Sequence, residues 1–178
     1  MCGVIGNTWD FGSHISGSNP DISTKFFNMK ILFLDCDGVI NHNAWYKSQA
    51  YYENDFLDPD IDPKVIERLN KLTNSKGVKV VISSNWKVDS YCISRLKLAG
   101  LDNVIDVTPT YLFNVSIENY CRGIEIKAYV DLHPEIDKYL IIDDMNDFFD
   151  EQQRYFLHID YQVGFTEDDL NYCLKYFE

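Results

Sequence analysis

The chain has 178 residues, of which 46% are hydrophobic and 25% are charged, as is ordinary for one globular domain. Its 28 acidic and 16 basic side chains give a net charge of −12, which excludes a broadly basic nucleic-acid-binding surface. No apolar run is long enough to span a membrane, and the first residues lack the order of a signal peptide, so we expect a cytoplasmic protein. Secretion by a route that needs no signal peptide would leave the same pattern.

The cysteines point to a reducing compartment. The chain contains Cys2, Cys36, Cys92, Cys121 and Cys173. Their number is odd, no pair has the CxxC spacing, and three of them fall within apolar patterns. We therefore expect buried, reduced thiols.

The chain divides into a short extension and one domain. Residues 1–28 are rich in Gly, Ser, Asn and Asp and have no regular period, which predicts a flexible or loosely packed N-terminal extension. Residues 29–178 form the predicted domain. It begins with MKILFLD, an apolar run over residues 29–35 that is typical of a buried parallel strand. Residues 41–60 follow as an aromatic, polar excursion.

The first long helix has clear boundary signals. Asp62 is a good N-cap, Pro63 suits the first helical position, and Gly77 is a plausible stop. Apolar residues recur between them at helical spacing. Further strands are predicted at 78–82, 103–107, 139–142 and 155–159, and further helices at 89–99, at 122–132 and after the capping residue Thr166.

This alternation of strands and helices predicts an α/β fold, a Rossmann-like parallel sheet sandwiched by helices. In such sheets the chemistry gathers beyond the carboxyl ends of the strands. Asp35, Ser83 and Asp143 stand at three predicted strand ends. We therefore expect these side chains to lie close together.

The acidic residues at these ends predict a cation site. Asp35 and Asp37 follow the first strand, and Asp143 and Asp144 close a later one. Carboxylates crowded into a crevice repel one another, and Mg²⁺ prefers oxygen ligands of this type. Asp is also common at strand ends because it favours turns, and Asp-x-Asp-Gly can begin a calcium loop. The further ligands and the distal Glu of a calcium loop are missing here.

The same set of residues suits phosphate chemistry. A carboxylate can attack phosphorus and form an aspartyl-phosphate. The hydroxyl of Ser83 or Ser84 can donate to a phosphate oxygen. The basic residues that can balance the phosphate charge are Arg122, Lys87 and Lys127.

Three segments resemble motifs of the haloacid dehalogenase (HAD) superfamily of phosphatases. ILFLDCDGVIN resembles its first motif, VVISSNW its second and YLIIDDMND its fourth, in the correct order over about residues 29–165. The combination of SSNWK, RGIEI, LIIDD and VGFT is similar to small phosphatase domains grouped with RNA-repair proteins. The resemblance implies a Mg²⁺-dependent phosphomonoester hydrolase.

The resemblance also implies roles. Asp35 would be the nucleophile, and Asp37 would protonate the leaving group and then activate water. Mg²⁺ would be held by the Asp35 carboxylate, the Asp37 main-chain carbonyl and one acid of the fourth motif. Asp144 is favoured as that direct ligand, with Asp143 as its support.

Other roles are less specific in sequence. Ser83 would bind the phosphate, with Ser84 as the alternative in a shifted register. For the basic third motif we favour Arg122, which begins a predicted helix 21 residues before Asp143, while Lys87 and Lys127 remain alternatives.

The predicted domain has no domain-sized cap, because the stretches at 41–60 and 108–121 are too short to fold as one. An open site suits a phosphate on a macromolecule, either a phosphoprotein, including phosphotyrosine, or a nucleic-acid end. The net charge disfavours the nucleic acid. A phosphatase of small metabolites or nucleotides and a non-catalytic HAD-fold binding module are the alternatives. No membrane partner is expected.

Overall fold

The computed structural model describes residues 28–55, 58–110 and 120–178. The predicted N-terminal extension, apart from its last residue, lies outside the described residues, and so does most of the predicted irregular stretch at 108–121. The prediction of an extension at 1–28 therefore stays a prediction.

The described chain follows the predicted alternation of strands and helices. The strands are β1 (Met29–Leu34), β2 (Val78–Ile82), β3 (Val104–Val107), β4 (Ile136–Asp143) and β5 (Phe156–His158). The α-helices are α1 (Asn43–Tyr46), α2 (Gln49–Glu53), α3 (Pro63–Lys76), α4 (Cys92–Leu98), α5 (Arg122–Leu132) and α6 (Glu167–Tyr176). Two 3₁₀-helices span Asn85–Val88 and Asp150–Tyr155.

The sheet confirms the predicted fold class. Its five strands are all parallel and are ordered β3-β2-β1-β4-β5, with β1 in the centre. β1 is completely buried from Ile31 to Leu34 because helices cover both of its faces. An apolar run without alternation is the sequence signature of such a strand.

The two faces of the sheet carry separate cores. The larger core joins the sheet to α3, α4 and α6, and its largest buried rings are Phe165 and Phe177. The smaller core packs α5 on the opposite face, through Ile126 and Tyr129 against Phe33. The chain adds β2 and β3 on one side of β1 and then β4 and β5 on the other side. The point between β1 and β4 is therefore a topological switch point, where a crevice forms.

The boundaries of α3 are those that its sequence predicts. The Asp62 side chain accepts a hydrogen bond from the backbone N–H of Lys64 at 2.9 Å, and Pro63 is the first helical residue. Gly77 ends the helix with φ of +66°, in the left-handed region that glycine occupies most easily. Local chemistry alone is sufficient to set this element.

The predicted helix at 89–99 begins later than expected. The Ser84 hydroxyl caps the 3₁₀-helix Asn85–Val88, and the Asp89 side chain accepts from the backbone N–H of Tyr91 at 2.9 Å. These side-chain contacts favour turns, so the α-helical part starts only at Cys92. Trp86 lies in the 3₁₀-helix just beyond the end of β2.

The excursion after β1 contains two short helices, α1 and α2, in place of a cap domain. Trp45 in α1 is buried, and its indole N–H donates to the carbonyl of Pro59 at 2.9 Å. Tyr52 in α2 is 76% exposed. Among the described residues, no helix combines the length and apolar character needed to cross a bilayer.

Candidate active site

The candidate site lies at the carboxyl ends of β1, β2 and β4. The backbone N–H of Asp35 donates to Ile142 at 3.0 Å, and that of Ser83 donates to Leu34 at 2.9 Å, so the sheet register continues to the strand ends. The register brings Asp35, Ser83 and Asp143 to one edge, as predicted. Asp35 and Asp143 are 4% and 1% exposed, which is unusual for carboxylates.

Arg122 joins these two buried carboxylates. Its Nη1 lies 2.8 Å from Asp35 Oδ1 and 2.5 Å from Asp143 Oδ2. The Arg122 side chain is itself only 15% exposed. One guanidinium thus faces two buried acids, which leaves this centre with excess negative charge when both acids are ionised.

This crowding changes the acidity of the carboxyl groups. Burial and the neighbouring Asp143 raise the pKa of Asp35 to about 7, although Arg122 opposes the shift. Burial likewise raises the pKa of Asp143 to about 6, again against the effect of Arg122. Both shifts mean that ionising these two carboxyl groups costs more free energy in the folded protein than in water.

Asp144 completes a group that fits a metal ion. Carboxylate oxygens of Asp35, Asp143 and Asp144 all lie within 4.8 Å of one another. Asp143 is already engaged, because its second oxygen accepts from the backbone N–H of Met145 at 2.8 Å. Oxygen donors with excess negative charge are the ligands that Mg²⁺ prefers. The arrangement therefore fits a divalent cation.

Gly38 makes room for Asp144. Its φ is +76°, and a Cβ added there would lie 2.5 Å from Cγ and Oδ2 of Asp144. No other amino acid can occupy this position without moving that carboxylate. The absence of a side chain at Gly38 is thus what allows the Asp144 carboxylate to lie where it does.

The side chain of Asp37 is exposed and lies outside the group of three carboxylates, although its charge helps to raise the pKa of Asp144, after the larger effect of burial. Asn41 Nδ2 donates to Asp37 Oδ1 at 2.7 Å, and Trp86 Nε1 lies 3.1 Å from both carboxylate oxygens. The Asp37 side chain is not part of the acidic group around Asp144. Only its main-chain carbonyl was expected to reach the metal.

The two serines differ in their contacts. The Ser84 hydroxyl accepts from the backbone N–H of Trp86 at 3.4 Å, and its nearness to the Asp35 carboxylate works to lower the pKa of Asp35 against the effect of burial. The Ser83 hydroxyl is buried and has no hydrogen-bond partner among the described residues. A buried hydroxyl without a partner is costly, so its free donor suits a ligand oxygen.

The three basic candidates occupy different places. Arg122 contacts Asp35 directly, as described above. Lys87 is buried and forms an ion pair with the buried Glu125, while also donating to Thr108 at 3.0 Å. Lys127 is exposed and pairs with Asp131 one helical turn further along α5. Of the three, Arg122 is the one beside the predicted nucleophile.

Sequence reasoning missed three residues of the site. Asp147 holds the start of α5, since its carboxylate accepts from the backbone N–H of Arg122 at 2.9 Å and its carbonyl from that of Gly123 at 3.0 Å. Asn41 and Trp86 hold Asp37. Each is the last residue of one of the quoted motif segments, ILFLDCDGVIN, VVISSNW and YLIIDDMND, and that place in the motif was the only available signal.

A parallel α/β sheet with an acidic, cation-fitting centre at its switch point has the arrangement expected of an HAD-type domain. A family model described as the HAD domain in Swiss Army Knife RNA repair proteins matches residues 31–170. The chain belongs to this family. HAD domains are generally hydrolases with a phosphatase-type chemistry. No curated protein matches the chain significantly.

Proposed function

We propose that this protein is a Mg²⁺-dependent phosphomonoester hydrolase that works through an aspartyl-phosphate on Asp35. The observation that carries the proposal is the contact of one guanidinium, that of Arg122, with two buried carboxylates. This arrangement holds the Asp35 carboxylate at a strand end, where its second oxygen can attack phosphorus.

Each residue of the site has a task in this reaction. Arg122 orients Asp35 and balances charge on the phosphoryl group. Ser83 donates its unpartnered hydroxyl to a phosphoryl oxygen, with Ser84 as the alternative. Asp37, on the exposed side, gives a proton to the leaving oxygen and later takes one from water.

The metal site of this proposal consists of the carboxylates of Asp35 and Asp144, with Asp143 as support and the Asp37 main-chain carbonyl as a further ligand. Asp144 is favoured as the direct ligand because Asp143 is already engaged by Arg122 and Met145. Bound Mg²⁺ would neutralise the phosphoryl charge during transfer.

The favoured substrate is a phosphate at the end of an RNA strand. The family description names RNA repair proteins, and edge-to-face ring contacts run from Tyr46 through Tyr51 to the exposed Tyr52. Such rings can stack on bases. The net charge of −12 opposes RNA and favours a phosphoprotein, which is the second substrate to be tested. No membrane partner is proposed.

We place the enzyme in the cytoplasm. Cys36, Cys92 and Cys173 are buried and form no disulfide. Burial raises the pKa of Cys36 and of Cys173, so both remain thiols at neutral pH. This state suits a reducing compartment.

The test of the proposed function compares the wild-type protein with Asp35→Asn on p-nitrophenyl phosphate. We expect turnover with Mg²⁺, loss of turnover with a chelator, and inhibition by Ca²⁺, whose looser coordination is unsuitable for in-line attack. Asp35→Asn should lose turnover while keeping its circular dichroism spectrum, because an amide cannot attack phosphorus.

Two results would contradict the proposal. One is full activity in a metal-free preparation. The other is Asp35→Asn retaining more than roughly a tenth of the wild-type kcat, equivalent to a barrier change of only about 1.4 kcal/mol. Absence of turnover in the wild-type protein on aryl phosphate, phosphorylated RNA ends and phosphopeptides alike would instead support a non-catalytic HAD-fold module.

A further inference from the structure

The carboxylate of Asp37 is held by two side chains from different parts of the chain. Asn41 Nδ2 donates to Oδ1 at 2.7 Å, and Asn41 is itself fixed because its Oδ1 accepts from the backbone N–H of Gly38 at 3.0 Å. The indole N–H of Trp86 faces both carboxylate oxygens, each at 3.1 Å. A donor shared between two oxygens restrains rotation of the carboxylate as well as its position.

Trp86 is itself held in place from behind. The guanidinium of Arg95 lies over the indole ring, 3.8 Å from its centroid. Arg95 in turn forms ion pairs with Asp58 and, at 3.6 Å, with Asp60. The ring also packs against the larger core. A cation stacked on one face and the core beside it leave the indole little freedom to turn.

We propose that Trp86 is a positioning residue that aims the Asp37 carboxyl group at the leaving oxygen of the substrate. The inference rests on the proposed phosphatase function and deepens it. A general acid must lie within hydrogen-bond reach of the atom that it protonates, and small displacements lower the rate strongly. Trp86, two residues after the serine pair that follows β2, thereby takes a role in catalysis without touching the substrate's phosphorus.

The proposed reaction requires Asp37 to transfer a proton in each of its two halves. In the first half, a bond forms between an Asp35 oxygen and phosphorus, the bond from phosphorus to the leaving oxygen breaks, and the Asp37 proton passes to that oxygen. In the second half, a water oxygen bonds to phosphorus, its proton passes to Asp37, and the bond from Asp35 to phosphorus breaks. The same carboxyl group therefore acts twice from one position.

An indole suits this positioning role. Its N–H is a donor only and does not titrate, so it can hold a carboxylate without competing for the proton that is transferred. The ring is rigid and has only two side-chain torsions. A Lys or Arg at this place would add a charge beside the leaving group.

The test replaces only the N–H group. Trp86→Phe keeps an aromatic ring for Arg95 and the core but removes the donor. Trp45→Phe is the matched control, since it removes the donor of a buried indole whose partner is the carbonyl of Pro59. Both variants are assayed with Mg²⁺ on aryl phosphates whose leaving phenols range from strongly to weakly acidic.

Protonation of the leaving oxygen matters most when that oxygen is basic. We expect Trp86→Phe to lower kcat on the phosphate of the least acidic phenol at least about tenfold more than on p-nitrophenyl phosphate, a difference of about 1.4 kcal/mol. Trp45→Phe should lower both rates by the same factor, or neither. An equal loss on all substrates in Trp86→Phe would overturn the positioning role.

A second measurement needs no turnover. In protein labelled with ¹⁵N at tryptophan, the indole resonances of Trp45 and Trp86 are assigned by their absence in the two variants. Asp37→Ala should shift the Trp86 indole proton upfield and leave that of Trp45 in place. No shift would overturn the inference. If Asp37→Ala causes this shift but the wild-type protein hydrolyses no phosphate ester, the proposed function is overturned while the contact between Asp37 and Trp86 stays supported.

Discussion

At the scale of single residues, the acidic charges of the site exceed the basic charge beside them. Asp35 and Asp143 are both buried beside one cation, Arg122, with Asp144 nearby. Two buried carboxylates that share one guanidinium are balanced only when a proton or a metal ion supplies a further positive charge. Burial first, and the neighbouring acidic charges second, raise the pKa values of Asp35 and Asp143 in the metal-free protein.

The first residue-scale prediction separates the basic candidates. Arg122→Ala should lower kcat on p-nitrophenyl phosphate at least about a hundredfold, near 2.7 kcal/mol, because it removes the group that orients Asp35 and meets the phosphoryl charge. Lys127→Ala is the control and should stay within about twofold, since an exposed pair along one helix contributes little. Equal losses in the two variants would reject Arg122 as the third-motif residue.

The second residue-scale prediction concerns pH. The folded protein has raised pKa values for Asp35 and Asp143, so between about pH 4 and about 7 it binds more protons than the unfolded chain. Its stability without metal should therefore fall as pH rises through this window. The measurement is the melting temperature in chelator at a series of pH values.

The comparison variant is again Asp35→Asn, which cannot ionise at this position. It should melt at a higher temperature than the wild type near pH 8, and the gap should close toward pH 5. Added Mg²⁺ should raise the melting temperature of the wild type more than that of the variant. A gap that is independent of pH would contradict the charge argument.

At the scale of elements, loops and a helix start bring the charges together. The first turn of α5 carries Arg122 to the sheet edge, and Asp147 from the loop after β4 caps that turn. Gly123 allows the close approach, because a Cβ there would lie 2.3 Å from Oε1 of Gln152. The loop after β1 makes a similar approach, where Gly38 lies against Asp144.

The element-scale prediction uses two glycines that share a backbone conformation. Gly38 and Gly77 have φ of +76° and +66°, so Ala at either position costs about 1 kcal/mol of backbone strain. Only at Gly38 does the added Cβ meet a side chain, that of Asp144, whereas nothing lies within 4 Å at Gly77. Gly38→Ala should lower kcat more than about tenfold and raise the Mg²⁺ concentration needed for half-maximal activity.

Gly77→Ala is the control for strain. It should lower the melting temperature by a similar amount but leave kcat and the Mg²⁺ dependence within about twofold of the wild type. If both variants lose activity in proportion to their stability, the contact between Gly38 and Asp144 has no special part in the metal site.

At the scale of the whole molecule, the described residues place no domain-sized cap over the site. No domain-sized segment lies between β1 and α3 or between β3 and α5, and the Asp37 side chain is exposed. A small ester would be held mainly by its phosphoryl group, so binding energy from the remainder of a larger substrate is needed for efficient turnover. The exposed Tyr52 can supply a contact beyond the phosphate.

The whole-molecule prediction follows from this openness. The best phosphorylated oligonucleotide or phosphopeptide should exceed the best free nucleotide or sugar phosphate at least about tenfold in kcat/KM, a difference of about 1.4 kcal/mol. Tyr52→Ala should reduce that advantage and leave p-nitrophenyl phosphate unaffected. Tyr172→Ala, which changes an exposed tyrosine on α6, is the control. A metabolite that outperforms every large substrate would contradict the open-site argument.

The sequence was sufficient for the order of the strands and main helices and for the acidic positions of the candidate site. Strand β1 is identified by its unbroken apolar run, and α3 by Asp62, Pro63 and Gly77, because these signals are local and each has its own physical cause. The strand ends of a parallel sheet meet at one edge, so Asp35 and Asp143 could be expected together. The helix start at Cys92 was misplaced because turn-favouring side chains compete with helix periodicity.

Only the tertiary structure decided which side chains face one another. The sequence favoured Arg122 for the third motif but left Lys87 and Lys127 open, because sequence alone does not tell a buried cation from an exposed one. The sequence also does not distinguish the aromatic residues of the 41–60 excursion, whereas the structure buries Trp45 and exposes Tyr52. Trp86 reaches Asp37 across 49 positions of sequence. Contacts of this kind depend on the crossing of loops from different strands, and no local pattern encodes that geometry.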